Sequence, residues 1–149
     1  MALQHARARI RKLVAAKLTG LASTGDNVFP SRSFPLTREK LPSISVYTPE
    51  ETVTSLTLAT PVRLHREVSV FIEVHALQDA EVEDVLDTCA LEIEVAMSQD
   101  FVLDEHQLST QLQATTTQTL DDADVPIGVM RMIYLIPYST TEATPDKLN

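Results

Sequence analysis

The chain has no tryptophan, one cysteine, three glycines and only 5% aromatic residues. Each scarcity excludes something. A single thiol, Cys89, closes no internal disulfide, so the fold must stand on its apolar core, and the cytosol is the expected compartment. Gly20, Gly25 and Gly128 are too few and too scattered for a phosphate-cradling loop or a dinucleotide fingerprint. No G-x-S-x-G elbow occurs, and none of the four histidines falls into a triad pattern. No apolar run approaches the length of a bilayer span, and the N-terminal M-A-L-Q-H-A-R-A-R-I-R lacks the apolar segment of a signal peptide. With so few rings, the core has to be aliphatic.

What is present suits one domain: 149 residues, 44% hydrophobic and 22% charged. The stretch Val62–Leu77 organises it. Val62, Leu64, Val68, Val70, Ile72, Val74 and Ala76 alternate with Arg63, His65, Glu67, Ser69, Phe71, Glu73, His75 and Leu77, and only Arg66 breaks the pattern. Period two is the signature of a strand with one buried face, and the length marks it as central or near-central.

Around it, residues 4–22 read as an amphipathic helix through Ile10, Leu13, Val14, Leu18 and Leu21. Val28-Phe29 is a short extended piece, 30–41 an irregular loop, and Ser43–Tyr47 a strand between Pro42 and Pro49. Residues 49–61 are either the outward half of a long hairpin or a mobile loop of the kind that binds partners. Asp79 is a good helix N-cap ahead of the stripe Val82, Val85, Leu86, Cys89, Ile93, Ala96 and Met97. Residues 99–106 read as a loop anchored by Phe101. Gln107–Leu120 reads as a strand with Leu108, Leu112, Ala114 and Leu120 on one face. Asp121–Pro126 is an acidic turn, Ile127–Tyr138 a strand buried on both faces, and residues 139–149 a disordered tail. The expected fold is α+β: a mixed, mostly antiparallel sheet of about four or five strands, with two helices on one face, in a single domain over 1–138.

The other face, with His65, Glu67, Phe71, Glu73 and His75, is expected to be open and available to a partner. His65-x-Glu67 and Glu73-x-His75 each present two metal ligands, but most of the strand separates them, so cross-strand pairing and subunit contact are the expected roles. Asp121, Asp122 and Asp124 can offer oxygens to a divalent cation, or form a solvated turn. Neither pattern is specific, and no cofactor and no catalytic residue is expected. Cys89 reads as core packing.

The net charge of −9 is unevenly spread: residues 1–40 carry eight basic side chains against two acidic ones, +6, which leaves −15 for the remainder. In a self-associating protein that asymmetry favours head-to-tail contact. The basic residues are not interleaved with aromatics, which argues against a nucleic-acid surface.

Four features together resemble the tail terminator (tail-completion, U-type minor tail) proteins of long-tailed phages. They are a helix at Ala6–Leu21 followed by Val28-Phe29-Pro30-Ser31-Arg32, and the phrase L-P-S-I-S-V-Y-T-P-E-E at Leu41–Glu51. Next is the strand ending V-F-I-E-V-H-A at Val70–Ala76 and leading into an acidic helix. Last is the pair Gln111–Leu120 and the strand ending Tyr134–Tyr138, joined through Asp121-Asp122-Ala123-Asp124. Pro30 and the residues beyond Tyr138 depart from the pattern. The resemblance implies a non-enzymatic virion protein, assembled in the host cytoplasm. It would form a homohexameric ring at the head-proximal end of the tail tube, halt tube polymerisation and dock the head–tail connector while DNA passes through the lumen. Under that reading Thr52, Val53, Thr54, Leu56 and Leu58 are expected to meet the tube protein. Arg7, Arg9, Arg11 and Arg32 are expected to pair with Glu81, Glu83 and Asp84 of a neighbouring subunit. A capsid-side connector or stopper, a module of a prophage or contractile device, and a small metal-dependent protein using His65 and Glu67 are the alternatives.

Overall fold

The computed structural model describes residues 3–31, 38–120 and 126–149. In chain order these form α1 (Ala6–Leu18), β1 (Val28–Phe29), a 3-10 turn (Arg38–Lys40), β2 (Ser43–Ser55), β3 (Arg63–Leu77), α2 (Val82–Met97), β4 (Phe101–Leu103), β5 (His106–Leu108), β6 (Gln111–Leu120) and β7 (Ile127–Thr141). Five strands make one mixed sheet in the order β1-β2-β3-β7-β6, and β4 with β5 makes a separate hairpin. Among the described residues only the β1–β2 pairing is parallel. The α+β architecture is the expected one, and β3 is the middle strand.

The alternation of β3 does what its sequence predicts on one side. Val68, Val70, Ile72, Val74 and Ala76 are all buried, and they join Ile10, Val14 and Leu18 of α1 and Leu86, Ile93 and Met97 of α2 in one aliphatic core. Full burial of such side chains contributes about 1.5–3 kcal/mol each. α1 packs against β1 and β2, α2 against β3 and β7, and the two helices touch each other.

The helices are shorter than their sequence patterns. α1 begins after His5, whose Nδ1 accepts the Arg7 N–H at 3.0 Å. It stops where Thr19 becomes extended and Gly20 takes a φ of 91°. At α2 the flanking N-terminal residue is Glu81, not Asp79. The Asp79 carboxylate instead accepts the Glu81 N–H at 2.9 Å and closes the turn before the helix.

Residues 49–61 resolve into the hairpin alternative, because β2 runs on to Ser55 and pairs with β3 out to Leu64. A bulge makes this possible. Thr48 and Pro49 together oppose Val70, between the Tyr47–Phe71 and Glu50–Ser69 pairs. A bulge tolerates a proline, and its extra residue reverses which face the later side chains occupy. Glu51 is thereby turned toward the core side.

Three further segments differ from their sequence reading. Residues 101–108 form the β4–β5 hairpin, not a loop, with Asp104 and Glu105 at φ 51° and 66° in the two-residue turn, the backbone that such turns require. The Gln107–Leu120 strand divides at Ser109 and Thr110. Leu108 is buried in β5, whereas a bulge between Leu112 and Ala114 places those two on opposite faces of β6. In β7 both faces are buried only over Ile127–Met130, and from Arg131 onward the burial alternates. Residues after Tyr138, expected as a disordered tail, continue β7 to Thr141 and then turn back. Pro145 O accepts the Ala6 N–H, Ser139 O accepts the Asn149 N–H, and Leu148 is 7% exposed within the core.

Candidate functional site

The sheet carries two buried ionic clusters and two exposed features. The first cluster centres on Glu51, whose side chain is 5% exposed. Its Oε1 accepts from Arg66 Nη1 at 2.8 Å and Arg7 Nη1 at 3.0 Å, and its Oε2 accepts from the Tyr138 hydroxyl. Arg66 Nε donates to Thr140 Oγ1 at 2.9 Å. Arg66 is the residue that breaks the β3 alternation, and the cluster is the reason it can sit on the buried face. A buried charge needs partners, and this one has them. Burial raises the Tyr138 pKa above the ordinary phenol value, and its hydrogen bond to Glu51 adds to that. Nearby, burial and then the charges of Arg7 and Arg66 hold the His5 pKa below the usual imidazole value.

The second cluster lies on the opposite face, around Glu73. Tyr47 Oη and Arg131 Nε each donate to Glu73 Oε2 at 2.8 Å. The Arg131 guanidinium also stands 5.4 Å from the Phe71 ring centroid. His75 Nε2 lies 3.8 Å from Glu73 Oε1, and burial lowers the His75 pKa. The expectation of an open face is therefore corrected in part. Glu73 and His75 are 8% and 6% exposed, whereas His65, Glu67 and Phe71 are half-buried. Ionic and aromatic partners on β2 and β7 close over the Glu73 end, which period two alone does not reveal. His65 Nε2 and Glu67 Oε1 are 3.4 Å apart. Among the described residues no three His, Cys, Asp or Glu side chains converge as a metal site. The Asp121, Asp122 and Asp124 turn lies outside the described residues. Cys89 is buried in the core, and its thiol is pushed up to about 11, chiefly by burial.

The basic residues of α1 are mostly engaged within the chain. Arg7 is bound to Glu51. Arg9 forms a fork on Asp104, Nη2 to Oδ1 at 2.7 Å and Nη1 to Oδ2 at 2.8 Å, and also reaches Asp146 O at 2.8 Å. The Arg9 hydrogen bonds hold the Asp104 carboxyl down at about 2. Arg11 lines a shallow groove of 350 Å³ with Pro30, Ser31, Tyr47, Thr48 and Pro49, and its Nε has no hydrogen-bond partner among the described residues. Arg32 lies outside the described residues. Glu81, Glu83 and Asp84 are exposed on the first part of α2 and make no ion pair among the described residues.

The two exposed features are a hairpin tip and a strand edge. Beyond Ser55 the β2–β3 connection carries Leu56 at 51% and Leu58 at 103% exposure, with Val53 at 50% just before it. Thr52 and Thr54 are exposed beside them. The turn is tied by Leu56 N–H to Arg63 O at 2.7 Å and Arg63 N–H to Thr57 Oγ1 at 3.0 Å. β6 is exposed along all ten residues, on both faces, and among the described residues pairs only with β7. The Glu51 cluster and the β6 edge escape sequence reading. Only the misplaced Arg66 and the uncharged run Gln111–Leu120 signal them. Among the described residues, no helix is long and apolar enough to cross a membrane. In comparisons with known proteins, no protein-family model and no curated protein matches this chain.

Proposed function

We propose that this chain is a structural subunit of a phage tail that assembles as a ring, caps the head-proximal end of the tail tube and offers its other side to the head–tail connector. The observation that carries the reading is the β2–β3 hairpin, whose tip presents Leu56 and Leu58 to solvent on a braced turn. A fully exposed leucine gains by burial against a partner, and a tip extending from a rigid hairpin is a geometry suited to docking on the end of another assembly. The order of elements and local phrasing shared with tail terminators supply the class of partner. The negative charge of the chain suits a lumen that DNA crosses without sticking, since like charge disfavours close phosphate contact.

The test is growth of tail tubes from purified tube protein with and without this chain, read as tube length by electron microscopy. Tubes that stop at a defined length with this chain on one end support the proposal. Leu58→Asp should let them grow on. Tubes that elongate past wild-type protein, unmarked at either end, would overturn it in favour of a connector on the capsid side.

A further inference from the structure

Among the described residues, β6 has a strand partner on one side only. Its bulge lies between Leu112 and Ala114, which leaves Ala114–Leu120 as a regular run paired with β7. About half of the backbone N–H and C=O groups of that run point away from β7 and have no ladder to join. Soluble proteins blunt such edges with lysine, proline or a bulge, and Ala114–Leu120 has none of them.

A cleft lies beside this edge. Thr117 and Thr119 pair with Met130 and Gly128 of β7, which places them on the face that α2 covers. There a cleft of 320 Å³ separates them from Val82, Glu83, Leu86 and Asp87 of α2. Val82, Leu86 and Met130 are buried, whereas Glu83 and Asp87 are exposed. The cleft is therefore apolar at its floor and acidic at its rim. Among the described residues no basic side chain lines it, and neither α2 nor β6 contains one. Glu94 extends the acidic side further along α2, where burial and then the Glu94 charge raise the Tyr134 pKa to about 12.

We infer that the β6 edge takes an extended basic segment of another protein, which pairs with Ala114–Leu120 as an added strand and lays lysine or arginine side chains over Thr117 and Thr119 onto Glu83 and Asp87. The inference goes beyond the tube-capping reading and does not depend on it. In strand addition the main-chain ladder supplies affinity, and pockets for alternate side chains supply specificity. An added strand lies about 4.8 Å outside β6, and every second side chain on it points to the α2 face. Threonine is short, so Thr117 and Thr119 make a low wall that a lysine or arginine stem crosses. The stem then covers the apolar floor while its charged head reaches the carboxylates. The single sign of charge around the cleft sets the sign of the partner. A second copy fits less well. It brings no basic side chain on β6, and two β6 strands paired about a two-fold axis would set two acidic α2 helices on one face of the joined sheet, which like charge opposes.

The experiment is fluorescence anisotropy of labelled heptapeptides with the full chain, joined to hydrogen exchange of the β6 amides. The probe alternates lysine and valine. One control alternates glutamate and valine, and a second is the lysine peptide with its backbone N–H groups methylated. The lysine peptide should bind and slow exchange within Ala114–Leu120, and both controls should bind at least about tenfold more weakly. Glu83→Gln with Asp87→Asn should weaken the lysine peptide by a similar factor. Thr117→Arg, which supplies the cleft with a guanidinium from the chain itself, should abolish binding. Far-UV circular dichroism and urea midpoints verify that the variants fold, and added salt weakens the wild-type complex without any substitution. A lysine peptide that does not bind overturns the inference. So do lysine and glutamate peptides that bind alike, or a methylated peptide that binds as well as its parent, since no strand is then being added. Exchange within Ala114–Leu120 that slows with protein concentration alone, before any peptide is present, also overturns it and makes a second copy the occupant.

Discussion

Arg66 Nη1 sits 2.8 Å from Glu51 Oε1 across the β2–β3 pair, the side chains being 11% and 5% exposed. The bulge at Thr48 and Pro49 is what turns Glu51 to that side. Glu51→Ala would leave Arg66, Arg7 and Tyr138 without their shared acceptor. The expected loss is about 3–5 kcal/mol, the cost of breaking a buried pair from one side. Replacing both Glu51 and Arg66 with Met should cost less than Glu51→Ala. Urea unfolding of the single and double variants measures the difference.

Gly128 is required by packing. A Cβ there would stand 2.6 Å from Val82 Cγ2 and 3.1 Å from Gln78 Oε1. Gly128→Ala forces α2 away from β7 and should destabilise by about 1–3 kcal/mol. Val82→Ala in the same chain should restore part of the thermal midpoint, by removing the methyl that clashes.

The Arg9–Asp104 fork sets an acid limit. Asp104 titrates at about 2 in the folded chain against an ordinary 3.8. A depressed carboxylate contributes stability that is fully present above the unfolded value and lost as pH falls through the folded one. Between pH 4 and pH 2 the wild type should lose stability faster than Asp104→Asn, while above that window it should be the more stable of the two. Thermal midpoints recorded across that range test both statements.

The returning C-terminus should contribute to the fold. Leu148 is buried in the core, its N–H donates to Asp104 Oδ2 at 3.0 Å, and Pro145 O holds the start of α1. Leu148→Ala should cost about 2–5 kcal/mol. Hydrogen exchange should then report faster opening of the Ala6 and Asn149 amides.

The hairpin tip should matter little to stability. Leu58 makes no buried contact at 103% exposure, so Leu58→Asp should change unfolding free energy by less than about 0.5 kcal/mol. A larger loss would mean that the tip braces the fold, and would weaken the case for it as a docking element.

The sequence by itself determined the middle strand, both helices and the class of fold, because period two over Val68–Ala76 and period 3.6 over Val82–Met97 each record one buried face. It also placed Cys89 in the core and marked the uneven charge. Tertiary structure decided what depends on partners distant in the chain. The bulge at Thr48–Pro49 carried β2 past a proline, and Glu51 met Arg7, Arg66 and Tyr138 only once β2, β3, β7 and α1 had come together. Glu73 and His75 looked solvent-facing because alternation reports which face a side chain takes and says nothing of what covers that face. Leu148 looked like a free tail because a single leucine has no period. It is held by Asp104, whose carboxylate is positioned by a two-residue turn between strands too short to register as a pattern.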